Sequence, residues 1–279
     1  MELRPLYLVA LGVGTTLGLL VALSLFERGL ARDLREGNPA ERLLRVGQVI
    51  AVFLVGAAAV HSSADGEAWT RDVPWVAGFA LLGLVLVLVT GRIGVRLLLD
   101  KRLTAEVARG NVASGVAAGA HFVATGVVTS RALGGNDLRG LMLSLAFFGI
   151  AQVTLVVFVS LFRALTTYDD EEQIAGENLA AALSYAGVAV AIAVVVARAL
   201  EGDFMGWVVS LRGYGGVLLS ALALYPVRQL FVQTLLLRAP LTARGGRLDE
   251  GIAQERSVGL GALEGATYLA TALSISRLA

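Results

Sequence analysis

Two ionisable side chains, Glu264 and His121, stand inside stretches otherwise built of aliphatic, small and weakly polar residues, "SVGLGALEGATYLATALSIS" and "NVASGVAAGAHFVATGVV". A carboxyl and an imidazole each take up and release a proton, and neither enters an apolar setting without a partner. Their neighbours fall at helical spacing. Ser257, Gly261, Glu264, Tyr268 and Thr271 make one stripe, Ser114, Ala118, His121 and Thr125 a second, and Glu41, Arg45 and Gln48 a third, with Gln48 in the register of His121. A corresponding fourth set, Ala181, Tyr185 and Val188, is much less polar. Stripes of this kind suit a proton or small-ion path, or bonds that hold helices together. Two readings stay open. In one, Glu264 and His121 meet or share a wet centre; in the other, His121 bonds a backbone carbonyl and Glu264 is a protonated carboxyl between helices.

Arg228 is a further candidate, flanked by Tyr225, Pro226, Gln229 and Gln233. It lies deep enough for a gate or an anion contact. Arginines near span ends usually snorkel to the phosphate level, however, and that is the expectation for Arg92, Arg96, Arg163 and Arg228 alike. The acidic run Asp169, Asp170, Glu171 and Glu172 fits a solvated helix start better than a cation site. Enzyme chemistry finds no support: HExxH, GxSxG, Walker A and CxxC patterns are absent, and so is cysteine. Two histidines do not make a conventional multi-histidine metal site. The sequence therefore predicts no enzyme, no metal and no cofactor. The string "GYGGV" at Gly213 resembles a potassium filter only superficially, because it falls in a hydrophobic span.

The elements that must position these residues are membrane spans. Of 279 residues, 56% are hydrophobic and 16% charged, with a mean hydropathy of +0.74. A spanning helix takes about 20 mostly apolar residues. Eight such stretches occur, near 4–26, 39–60, 73–98, 112–130, 138–162, 178–199, 205–236 and 253–276. The first is too long for a signal-peptide core and reads as a retained span. A net charge of +1 without a basic patch argues against nucleic acid as a partner.

Cationic residues set the orientation. The first loop carries Arg28, Arg32, Arg35 and Arg42, the third Arg92, Arg96, Lys101, Arg102 and Arg109, the fifth Arg163, and the seventh Arg228, Arg238, Arg244, Arg247 and Arg256. These odd loops hold fifteen cations and the even loops five. Odd loops are accordingly expected in the cytoplasm, with both termini on the other side.

Four junctions share a wording: "LREGNPAERLLRVGQ", "VARGNVASGVAAGAH", "IAGENLAAALSYAGV" and "GIAQERSVGLGALEG", anchored on Asn38, Asn111, Asn178 and Glu255 at spacings of 73, 67 and 77 residues. Each unit holds two spans, which predicts four parallel two-helix repeats about an axis along the membrane normal. Asn38, followed by Pro39 and Glu41, has the composition of a helix cap. The alternative is an inward-facing Asn that bonds a neighbouring repeat.

These junctions resemble the bacterial integral-membrane family called domain of unknown function 350, whose modules carry Leu-Thr, an acidic stretch, Gly-Asn and an Ala-rich span. The matching residues are Leu103, Thr104, Glu106, Gly110, Asn111 and Ala113, and again Leu165, Thr166, Tyr168, Asp169, Ile174, Asn178, Ala180 and Ala181. Leu241 and Thr242 open a copy that then departs, with Gln254 and Glu255 in place of Gly-Asn. The resemblance covers nearly the whole chain as two four-helix modules, residues 1–136 and 137–279. It implies a location in the bacterial inner membrane, gene neighbours that encode membrane-stress coat proteins and ATP-grasp ligases, and a suggested ion-channel role.

The expectation is thus an all-α polytopic membrane protein. Its leading function is a small-ion or proton channel or transporter, or a sensor of membrane state. The alternative is a non-conducting scaffold that recruits membrane lipids or a cytoplasmic membrane-stress partner through its arginine-rich loops. Oligomeric state is not legible.

Overall fold

The computed structural model describes residues 4–66, 68–99 and 102–278. Lys101, counted above among the loop cations, lies outside the described residues. Helix makes up 82% of the fold, and no strand occurs among the described residues. Among the described residues, eight segments are long and apolar enough to cross a bilayer: α1 (Arg4–Phe26), α3 (Pro39–Ser63), α4 (Trp69–Leu98), α6 (Val112–Ala132), α7 (Leu138–Arg163), α9 (Leu179–Ala199), the broken span Trp207–Leu236 and α13 (Val258–Leu278). The broken span comprises α10 (Trp207–Ala221), α11 (Leu224–Arg228) and a π-helical stretch, Gln229–Leu236. "GYGGV" is ordinary helix within α10, so it lines no filter.

A short helix precedes each of α3, α6, α9 and α13. These are α2 (Leu30–Glu36), α5 (Leu103–Arg109), α8 (Asp170–Ala175) and α12 (Arg247–Ala253). Each is too short to persist alone, and each is pinned by buried apolar residues such as Leu30, Val107, Ile174 and Ile252. The eighth span starts at Val258 rather than near 253, because Ala253 ends α12 and Arg256 then turns through a positive φ of 49°.

The helices after these junctions form a row in chain order: α3 packs on α6, α6 on α9, and α9 on α13. The middle pair, α6 and α9, is 72% and 67% buried over the span, whereas α1 and the broken span, on the outside, are 17% buried. The expectation that the copies surround a common axis is therefore corrected. Each middle helix uses two opposite faces, one for the helix before it and one for the helix after it. That geometry extends a row and leaves α3 and α13 at its ends.

Glycine sets the spacing of the row. A Cβ on Gly115 would lie 2.5 Å from the Ala40 carbonyl oxygen, and one on Gly119 2.6 Å from that of Leu43. In the second half, a Cβ on Gly261 would lie 2.1 Å from the Ala180 carbonyl oxygen, and one on Gly265 2.7 Å from that of Leu183. Only residues without a Cβ let the backbones approach so closely. The α3–α6 and α9–α13 contacts thus use the same positions, with Gly115 and Gly261 each four residues after the helix cap.

Candidate functional site: buried polar centres at the junction end

The junction asparagines satisfy both of their possible roles at once. The Asn111 Oδ1 accepts from the Ser114 amide at 3.2 Å, which caps α6, while its Nδ2 donates to the carbonyls of Ile174 (2.9 Å) and Ala175 (3.2 Å) at the end of α8. Asn178 caps α9 through the amides of Ala180 and Ala181 and donates to the Ile252 carbonyl of α12 at 2.8 Å. Asn38 forms a full capping box with Glu41 and donates to the carbonyls of Val107 and Ala108 at the end of α5. Each Asn therefore ties its own helix start to the next short helix along the chain.

Glu255 does not fit this series. It is half-exposed and pairs with Arg247 at 2.6 Å, while Ser257 occupies the position before α13 and accepts the Gly261 amide on its carbonyl. The anchor of the fourth junction moves from Glu255 to Ser257, two residues on. Among the described residues the Ser257 side chain ties no further short helix, unlike Asn38, Asn111 and Asn178. In the corrected register Glu264 matches Tyr185, Ala118 and Arg45, and His121 lies three residues deeper.

The polar candidates gather into three centres rather than one. The first joins Arg45 to Asp33 of α2 (2.8 Å), to Glu27 (2.7 Å) and to the Gln48 side chain (2.9 Å), and Arg92 also bonds Glu27. Burial raises the Asp33 carboxyl, but hydrogen bonds and charge from Arg45 and Arg32 overcome this and hold it below the usual carboxylate range. Gln48 belongs here, away from Glu264.

The second centre lies between the modules. Arg163 bonds Asp170 of α8 at 2.8 Å and the Leu98 carbonyl, and its guanidinium lies 5.4 Å from the Tyr185 ring centre. The Tyr185 hydroxyl is 3.2 Å from His121 Nδ1. The other edge of His121 faces Gly94, where a Cβ would sit 2.0 Å from Nε2. His121 thus bonds a phenol rather than a backbone carbonyl. Asp170 is buried while Asp169 caps α8, so the acidic run is a helix start at Asp169 and a buried ion-pair partner one residue later. Burial pushes the Asp170 carboxyl up to about 6, against the opposing pull of Arg163. Thr125 is buried one turn beyond His121, and its hydroxyl has no partner among the described residues.

The third centre is the most charged. Arg228 is fully buried, which corrects the snorkelling expectation; Pro226 and the widened π-helical turn after it bring Arg228, Gln229 and Gln233 inward. Its Nε donates to Glu264 at 2.6 Å, another guanidinium nitrogen to Asp249 of α12, and a third to Gln229 at 2.8 Å. Glu264 also accepts from the Ser184 hydroxyl of α9 at 2.6 Å. Asp249 accepts from the Thr167 amide at 2.8 Å. Tyr268, one turn from Glu264, is buried edge-on to Phe162 at 6.0 Å. Glu264 and His121 do not meet, because they bond adjacent residues of α9, Ser184 and Tyr185. Tyr168 lies by the second and third centres and donates to Ser184 at 3.4 Å. Burial drives its hydroxyl well above the usual value, and the charges of Glu264 and Asp170 add to this.

Cavities flank the polar layer. One of about 600 Å³ is lined by Tyr168, Thr167, Gln233 and Asp249, with exposed Arg247 and Glu250 at its edge, and one of about 510 Å³ by Tyr168, Arg163, Asp170 and Arg244. At the opposite end, a cavity of about 1090 Å³ opens among the far ends of α3, α6 and α9, lined by His61, Arg131, Arg198, Ser144 and Tyr214. Between the two ends the row is packed with fully buried residues, among them Ala117, Ala124, Ala189, Ile192 and Val196.

Residues 5–133 and 136–278 each match the family described as Domain of Unknown Function (DUF350). The chain belongs to this family. Its two matches give two tandem DUF350 modules, and the equivalent glycine contacts of α3–α6 and α9–α13 are their structural counterpart. A relative in Aquifex aeolicus (strain VF5), a UPF0719 transmembrane protein, is 27% identical over 106 residues, which is 37% of this chain and 40% of the relative. The chain thus matches under half the length of that relative. No solved structure matches significantly. With eight candidate spans and a transmembrane relative, this DUF350 chain is a multi-pass integral membrane protein.

Asp249, Ser184, Asp170 and Asp33 were missed as site residues by sequence reasoning. The readable signal was an acidic residue in each of the short helices α2, α8 and α12.

Proposed function

We propose that this DUF350 protein is a proton-handling membrane protein, a closed small-ion or proton pathway whose gate is the Arg228, Asp249 and Glu264 centre. The observation that carries the reading is the charge count at a site shut from solvent: one guanidinium faces two carboxylates. Holding the ionised set in low dielectric costs several kcal/mol per ion before pairing repays it. A proton or small cation relieves the excess negative charge. Asp249 rides on α12, outside the spans, so its contact with Arg228 breaks if that short helix shifts. The cavity beside it supplies access from the junction end.

The packed row favours a second reading, a non-conducting scaffold that displays its arginine-rich junction face to anionic lipids or to a cytoplasmic membrane-stress protein. In both readings the protein lies in a bacterial inner membrane with the junction end in the cytoplasm and both termini on the other side. Neither needs an enzymatic step. Proteoliposomes carrying an internal pH dye separate the two. Under an imposed proton gradient and membrane potential, the wild type is expected to dissipate the gradient, and Glu264→Gln to slow it about tenfold or more. A folded wild type that leaves the gradient at the rate of empty vesicles overturns the pathway.

A further inference from the structure

α9 begins "NLAAALSYAGVAV", and Ser184 is a lone hydroxyl in that run before Tyr185. It is 3% exposed, in the heart of the row. Its equivalents in the corrected register, Leu44, Ala117 and Leu263, carry no polar group. A serine is not required for packing at such a position, where an Ala-rich face suffices. Its bonds suggest a different use. The Tyr168 hydroxyl donates to Ser184 Oγ at 3.4 Å, and Ser184 Oγ donates to Glu264 Oε2 at 2.6 Å. Both donors point the same way, towards the carboxylate, while the other oxygen of Glu264 is held by Arg228. Tyr168 also lines both junction-end cavities. A file of hydroxyls thus runs from open space to a buried carboxylate that lines neither of these cavities.

We propose that Tyr168 and Ser184 form the proton wire that connects Glu264 to the junction-end cavities, an inference that rests on the proton-handling reading above. The transfer is a concerted shift. Glu264 Oε2 takes the Ser184 hydroxyl proton, Ser184 Oγ takes the proton of Tyr168, and Tyr168 takes one from a hydronium ion in the cavity, which is left as water; every hydroxyl ends neutral, and the charges of the carboxylate and the hydronium cancel. The charged and titratable groups around this carboxylate are Arg228 on the broken span, Asp249 on α12, Asp170 on α8, Tyr268 on α13 itself and Tyr168 in the α7–α8 connection, with Tyr225 behind Arg228. Ser184 and Tyr168 are positioning residues for the proton, and Glu264 is its acceptor.

Infrared spectroscopy of the full-length protein in lipid tests the wire. The Glu264 carboxyl band is identified by its loss in Glu264→Gln, and its appearance is timed after a downward pH jump. Ser184→Ala and Tyr168→Phe are expected to slow that appearance about tenfold or more, while Ser184→Thr, which keeps the hydroxyl, stays near the wild-type rate. Thermal unfolding of each variant in the same lipid confirms that the fold is retained. A Ser184→Ala protein that protonates Glu264 at the wild-type rate overturns the wire, and so does a Glu264 that gives no titrating band. A titrating band governed by Ser184 in vesicles that hold their gradient overturns the pathway while leaving the wire standing.

Discussion

Replacing Asn111 tests the junction, because its two functions come apart by substitution. Asn111→Ala removes the cap on Ser114, worth about 1 kcal/mol. It also strips the donor from two carbonyls at the end of α8, one of them buried, at about 1–3 kcal/mol for the group left unsatisfied. The expected loss is about 2–4 kcal/mol in total. Asn111→Asp keeps an oxygen to cap α6, since Asp caps as well as Asn. It cannot donate to Ile174 or Ala175, so it retains only the loss due to the tie. Asn38→Ala is expected to fall below Asn111→Ala, because one of its accepting carbonyls, that of Ala108, is in an exposed contact. Ser257→Ala, with no tie to lose, is expected to be smallest. Chemical unfolding in mixed micelles, followed by helix signal, gives the ranking. Equal stability of Asn111→Asp and wild type refutes the tie, whatever Asn111→Ala does.

Two other outcomes follow from particular contacts. The Asp170 carboxyl, raised from 3.8 to about 6 by burial, binds its proton more tightly in the folded protein than in the unfolded chain. Through this group, stability is lowest above about pH 6 and rises as pH falls towards about 4, by roughly 3 kcal/mol at 1.36 kcal/mol per unit. The lowered Asp33 acts in the opposite sense, its stabilisation being present above the unfolded value and lost as acid protonates it. Asp170→Asn should therefore remove one slope and leave the other, and thermal unfolding curves of the two proteins that run parallel across this range rule the assignment out. Gly187→Ala places a Cβ 2.1 Å from Gly265 Cα, backbone against helix, and is expected to cost about 1–3 kcal/mol or more by forcing α9 and α13 apart. An unchanged unfolding midpoint for that variant contradicts the close approach.

Much of the fold was legible because a bilayer imposes a length and a polarity on each span. Arg4–Phe26 and Leu138–Arg163 follow from hydropathy alone within a residue or two, and the cap at Asn38 from Pro39 and Glu41. The buried centres were harder for a common reason: their partners come from short helices whose composition looks like loop. Arg228 near a span end is indistinguishable in sequence from a snorkelling arginine, and only α12 and α13 folding back over it supply Asp249 and Glu264. The fourth junction misled in a different way. Gln254 and Glu255 fall where Gly-Asn was sought, and the better ruler was glycine: Gly115 and Gly119 match Gly261 and Gly265, which puts the cap at Ser257.

That shift of two residues also changes what Glu264 can be expected to do. Paired with His121 at one depth, it would belong to a ring of polar groups around a pore, open along the membrane normal. Placed in the register of Arg45 and Tyr185, it belongs to a layer at the junction end, where Arg45, Arg163 and Arg228 each hold an aspartate from a neighbouring short helix. Those aspartates ride on helices that cannot stand alone, and the asparagine ties fasten three of the four short helices, α5, α8 and α12, to the starts of α3, α6 and α9. Movement of α8 or α12 therefore loads both its own ion pair and the cap of α6 or α9. Charge state at the arginines and packing along the row are coupled through these ties. Substitutions at Asn178, which holds α12 through the Ile252 carbonyl, should accordingly alter the environment of Glu264 as well as the stability of α9.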